Sequence, residues 1–104
     1  MTIFSCFDVE TTSLDARKGQ VIEIAIVKIT HDGELLDEWT TLVGPPPVDI
    51  GRPDIHGIDG SWLQGAPNFK EIAGDIVERF DGSIPVAHNA PFDCSFIREE
   101  WHRA

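Results

Sequence analysis

The chain has no tyrosine, one methionine, two cysteines and few bases: 8 Lys and Arg stand against 18 Asp and Glu, for a net charge of -10 over 104 residues. Each scarcity excludes something. No stretch approaches the roughly 18 consecutive apolar residues of a membrane span, and residues 1–30 lack a secretory-signal pattern. Cys6 and Cys94 lie far apart in apolar contexts, which predicts two buried thiols and not a disulfide, as in a reducing cytoplasm. The shortage of bases argues against nucleic-acid binding, because so acidic a surface repels phosphate. Residues 1–30 carry four acids and three bases, whereas residues 31–104 carry fourteen and five. What is present, 41% hydrophobic residues, is ordinary for a folded domain, and the length fits one domain with a real core and no membrane association.

The element order is legible. Residues 2–9 are aromatic and β-branched and predict a strand. Val21 to Thr30 predicts a second, with Ile22, Ile24, Ile26 and Lys28 on one face by period-two alternation. His31-Asp32-Gly33 carries turn chemistry, so a third antiparallel strand follows from about Glu34 to Val43, ended by Gly44-Pro45-Pro46-Pro47. The connection 44–67 is long enough to suggest function, with one helical turn expected between Ile58 and Leu63 behind Asp59. Phe69, Ile72, Ala73, Ile76, Val77 and Phe80 fall on one helix face. Asn68 and Glu71 form a capping box at its start, and Gly82 provides a left-handed stop. Ser83 to His88 reads as a fourth strand, and Pro91 opens a second helix carrying Phe92, Phe96 and Ile97. The pattern is three antiparallel strands followed by helix, strand and helix, an α/β class.

Three carboxylates stand out. Asp8 and Glu10 are alternate residues at the end of the first strand, so both project from one face about 7 Å apart. Alone, such a pair is also what a solvated strand end looks like. Asp93 lies in the first turn of the last helix, where a carboxylate favours the helix dipole. A parallel fourth strand beside the first, reached through the helix 69–80, would bring Asp93 to Asp8 and Glu10. Carboxylate oxygens converging at strand ends suit Mg²⁺ or Mn²⁺, and such a cation would recruit phosphate to an otherwise repellent surface.

Phe7-Asp8-Val9-Glu10-Thr11-Thr12-Ser13-Leu14-Asp15 resembles the first motif of the DEDD 3′–5′ exonucleases. Val86-Ala87-His88-Asn89-Ala90-Pro91-Phe92-Asp93 resembles their second, and Ile55-His56-Gly57-Ile58 with Ala66-Pro67-Asn68-Phe69 is similar to their middle segment. The likeness is greatest to the DEDDh-type branch that includes the proofreading epsilon subunit of bacterial DNA polymerase III. The resemblance implies a ribonuclease H-like fold for residues 1–104 and two-metal hydrolysis of phosphodiesters at a 3′ DNA end. It implies that Asp8, Glu10 and Asp93 are catalytic, with Asp8 bridging both metals. Thr11, Thr12 and Leu14 would hold the terminal nucleotide, Leu14 as a wedge beside its base, and His56, His88, Asn89 and Phe92 would contact substrate. For Leu14 the competing reading is a core contact; for His88 it is a structural histidine bonded to backbone.

The family's third motif, a histidine or tyrosine followed by a fourth carboxylate, is missing. His102 has no aspartate after it, and the closing part of the fold is expected to be absent. Two readings follow. One is an exonuclease domain acting on single-stranded or frayed 3′ ends, associated with a polymerase and impaired in this short chain. The other is a non-catalytic nuclease-like module that binds a polymerase or another protein. An exposed sheet edge or truncated face would also permit a homodimer. Trp39, Trp62 and Trp101 are expected in packing contacts, not as base-stacking platforms.

Overall fold

The computed structural model describes residues 2–47 and 49–103. Four strands, β1 (Ile3–Thr11), β2 (Val21–Thr30), β3 (Leu35–Leu42) and β4 (Ile84–Val86), form one sheet in the order β3-β2-β1-β4. The first three pair antiparallel, and β4 runs parallel to β1 with Phe4 opposite Ile84 and Cys6 opposite Val86. The β2–β3 turn has Gly33 at φ 87°, closed by its N–H donating to the Thr30 carbonyl at 2.9 Å. This is the positive-φ geometry expected of Asp-Gly.

Helix α2 (Phe69–Phe80) has the capping box read from the sequence. The Glu71 N–H donates to Asn68 Oδ1 at 2.9 Å, and the Asn68 N–H donates to Glu71 Oε1 at 3.3 Å. Its buried residues are Phe69, Ile72 and Ile76; Val77, placed on the same face by spacing, is 52% exposed. Helix α3 (Ala90–Arg103) drives Phe96 fully into the core beside Phe7, Val9, Ile24 and Ile26. Between β3 and α2 the chain forms a one-turn helix α1 (Pro53–His56), unforeseen, and a 3₁₀ turn (Gly60–Leu63). Asp59 Oδ1 caps that turn, accepting from the Ser61 N–H at 2.9 Å.

The face assignment of β2 needs one correction. A register shift between Glu10 and Thr11 pairs Glu10 with Glu23 but Thr11 with Val21, so Ile22 is the extra residue of a bulge. Val21 therefore joins Ile24 and Ile26 in the main core. Ile22 turns instead into a second cluster with Ile58 and Leu63, and thereby anchors the long connection to the sheet. Cys6 is half-buried and Cys94 exposed, so only the absence of a disulfide agrees with expectation. No helix among the described residues is long and apolar enough to cross a membrane.

Candidate active site

Strand alternation sets the first wall of the site. Ser5, Phe7 and Val9 are buried, whereas Asp8 is exposed and Glu10 half-buried, so the two acids share the face away from the core. The second wall comes from α3. Strand β4 stops at Val86, opposite Cys6, which leaves the following part of β1 without a strand neighbour on that side. Asp93 takes its place: the Val9 N–H donates to Asp93 Oδ2 at 3.2 Å. A buried backbone donor thus finds its acceptor in a side chain, and Asp93, only 4% exposed, is fixed to the backbone of the residue between the two strand acids.

Glu10 and Asp93 both feel the charge of Asp8. Burial raises the Glu10 carboxyl above its ordinary range, and the charges of Asp8, Glu23 and Asp93 add to this. Burial likewise raises Asp93; the Val9 N–H works against that rise, the charge of Asp8 adds to it, and His88 counters it. No lysine or arginine figures among these influences. Partly buried carboxylates that repel one another and have no fixed cation fit a hard divalent ion in their donor chemistry. Among the described residues, however, no three His, Cys, Asp or Glu side chains are grouped so that together they could hold a metal ion.

Beyond Glu10 the chain makes a tight loop. The Thr12 N–H donates to the Gln20 carbonyl and the Gln20 N–H returns to Thr12 Oγ1, both at 3.0 Å, while Thr11 Oγ1 donates to the Ser13 carbonyl at 2.9 Å. Pinned at both ends, the loop presents Leu14 outward at 88% exposure, which removes the core reading of that residue. A cleft of about 320 Å³ opens here between Glu10, Thr12 and Leu14 on one side and Arg52, Ile55 and Phe92 on others. Phe92 is half-buried and leans on Phe96, with ring centroids 4.9 Å apart.

The middle segment is held against this loop by two devices. Gly51 has φ 87°, and any side chain there would overlap the Thr12 carbonyl, so only glycine permits so close an approach. His56 uses both ring nitrogens: Nδ1 accepts from the Ile58 N–H at 2.9 Å and Nε2 lies 2.8 Å from the Ile50 carbonyl. Since the amide must donate, the ring is the neutral Nε2–H tautomer. His56 therefore lines the cleft as a brace, with no ring nitrogen to spare in this conformation. His88 and Asn89 are exposed, and among the described residues no side-chain hydrogen bond ties His88 to backbone, as its competing structural reading would require.

Sequence reasoning missed Glu100. It is 8% exposed and its Oε2 accepts from the Val21 N–H at 2.9 Å. Oε1 meets Arg103 at 3.1 Å, and Arg103 Nη2 donates to the Gly19 carbonyl at 3.1 Å. This ties α3 to the start of β2. None of the tryptophans lines the cleft: Trp39 lies under the Arg79 guanidinium at 4.3 Å, Trp101 meets Phe69 edge-on at 6.2 Å, and Trp62 is 57% exposed.

The fold is that of a ribonuclease H-like domain. The RNase T family model, described as an exonuclease, matches residues 5–104, and the chain belongs to that family. Among its relatives, the PolC-type DNA polymerase III of Caldanaerobacter subterraneus is 38% identical over 98 residues, covering 93% of this chain and 7% of the relative. The DNA polymerase III subunit epsilon of Treponema pallidum is 36% identical over 100 residues, covering 93% and 45%. The chain thus spans less than half the length of these relatives. In structure it is similar to E. coli exonuclease I in complex with a dT13 oligonucleotide, with a TM-score of 0.84 at 17% identity over 99% of this chain and 24% of that one. At that identity the likeness concerns the fold.

Proposed function

We propose that the chain is a metal-dependent 3′–5′ exonuclease domain that removes nucleotides from a single-stranded or frayed 3′ end of DNA. The observation that carries this reading is the Asp93–Val9 hydrogen bond, which sets a third carboxylate beside Asp8 and Glu10 where β4 runs out. Asp8, Glu10 and Asp93 offer oxygen ligands suited to Mg²⁺ or Mn²⁺. Bound there, such ions supply an activated water and charge neutralisation at the attacking and leaving oxygens. The chain's own part is positional. Asp93 is immobilised by Val9, Glu10 faces the cleft, the Thr12–Gln20 bonds stiffen the loop that receives the terminal nucleotide, and the free side chain of Leu14 packs against its base. Relatives named as DNA polymerase III proteins support DNA as substrate, a polymerase as partner and a cytoplasmic setting.

After Asp93 the one histidine, His102, has no aspartate following it and is exposed at the far end of α3. General base catalysis is commonly worth about 10² to 10⁴ in rate, so the chain by itself is a slow nuclease in this account. The second reading is a non-catalytic module that docks on a polymerase or another protein. Linear and circular single-stranded DNA separate the possibilities. Loss of the linear form alone, in Mg²⁺ or Mn²⁺, supports the exonuclease. Cleavage of the circle contradicts it, and persistence of both at high enzyme supports the module.

A further inference from the structure

Among the described residues, Arg52 is the only lysine or arginine lining the cleft beside Leu14, in a chain of net charge -10. Its position is fixed by its neighbours. Gly51 rests on the Thr12 carbonyl, and the His56 ring closes the turn that carries both residues. The guanidinium does not point freely into solvent. Its Nε donates to Asp54 Oδ1 at 3.0 Å and its Nη2 to Asp54 Oδ2 at 2.7 Å, a two-bond fork between side chains 70% and 64% exposed. A guanidinium has five N–H donors, so the fork leaves three for another oxyanion. An exposed ion pair contributes little to folding, and this one holds a regular geometry at the start of α1, in a loop bordering the cleft.

We propose that Arg52 binds a phosphate of the strand lying in the Leu14–Ile55 cleft, and that Asp54 both orients the guanidinium and competes for it. Asp54 then sets the affinity below what Arg52 alone would give, which favours release of the shortened strand. The proposal rests on the nuclease reading and adds to it a binding residue and its regulator, neither of them among the acids or the motif residues.

The test is equilibrium binding of a short 5′-fluorescein oligothymidylate to the full chain in Ca²⁺, read by anisotropy at several salt concentrations. Arg52→Gln should weaken binding about three- to fivefold and lower the salt slope by about 0.7, the order of one phosphate contact on a single strand. Asp54→Asn should tighten binding by a comparable factor, and in the Arg52→Gln background that gain should fall by more than half. Melting temperatures of both variants should match the wild type, since a loop-stabilising pair would lower them without opposite effects on binding. Equal binding by wild type and Arg52→Gln, or weaker binding by Asp54→Asn, overturns the assignment of Arg52 and leaves the nuclease reading standing. A wild-type chain that binds no strand overturns both.

Discussion

The Asp93 carboxylate holds the backbone N–H of Val9 at 3.2 Å, and Val9 is the residue between Asp8 and Glu10. One contact thus serves two ends. It satisfies a strand donor that β4 is too short to reach, and it joins the acid of a distant helix to the two acids of the strand. The cost is electrostatic, since Glu10 and Asp93 are partly desolvated and both lie within reach of the Asp8 charge.

That cost is measurable at Glu10. Burial and the charges of Asp8 and Glu23 disfavour its ionised form, so Glu10→Gln should raise the melting temperature in metal-free buffer. Solvent screening of this partly exposed group keeps the relief small, and ~0.5 kcal/mol moves a domain of this size by about 2 to 4 °C. The same substitution should remove most of any stabilisation that Mg²⁺ or Mn²⁺ gives the wild type. Thermal melts with and without chelator check both, and a Glu10→Gln chain less stable than wild type without metal would count against mutual repulsion.

Leu14 should prove dispensable for folding and needed for substrate. At 88% exposure it has almost no packing to lose, whereas a core leucine replaced by alanine costs about 2 to 5 kcal/mol. Leu14→Ala should melt with the wild type and raise KM for a single-stranded oligonucleotide several-fold. A drop in melting temperature with unchanged KM would return Leu14 to the core.

Glu100 should show the reverse pattern. Glu100→Ala strips the acceptor from the N–H of Val21, a residue with 0% exposure, and an unsatisfied buried donor costs about 1 to 3 kcal/mol. Glu100→Gln keeps an oxygen for that N–H and should recover most of the loss. Denaturant melts of the pair distinguish the hydrogen bond from the charge.

Gly51 and Gly57 offer a matched comparison. Both have positive φ, 87° and 71°, but a Cβ at Gly57 meets open space, whereas one at Gly51 collides with the Thr12 carbonyl. Gly57→Ala should cost about 1 kcal/mol from backbone strain alone. Gly51→Ala should cost more and should also weaken strand binding, because it pushes the middle segment off the nucleotide loop. Equal effects at the two sites would mean that the close approach has no function.

How much of this was readable in the sequence depends on how local the cause is. Asn68 with Glu71, the period of Phe69, Ile72 and Ile76, the Asp-Gly turn and the shared face of Asp8 and Glu10 all follow from neighbours within four residues, and all appear in the structure. The features that escaped are long-range. A carboxylate at Glu100 that serves Val21, 79 residues away, leaves no periodic trace, nor does the approach of Gly51 to Thr12. The bulge at Ile22 breaks an alternation that looks unbroken in the letters, because two hydrophobic clusters claim adjacent residues. Val77 fits the helical period yet faces solvent, since α2 buries only three residues. His56 looked like a substrate ligand, and its two backbone partners became visible only once the turn around it was built.

The most direct measurement of the central claim is digestion of a 5′-labelled single-stranded oligonucleotide by the purified chain in Mg²⁺ or Mn²⁺, beside Asp8→Ala. The account predicts a slow, metal-dependent ladder that shortens from the 3′ end and disappears in Asp8→Ala. A ladder that persists in Asp8→Ala, or no shortening by the wild type at any enzyme concentration, would contradict it.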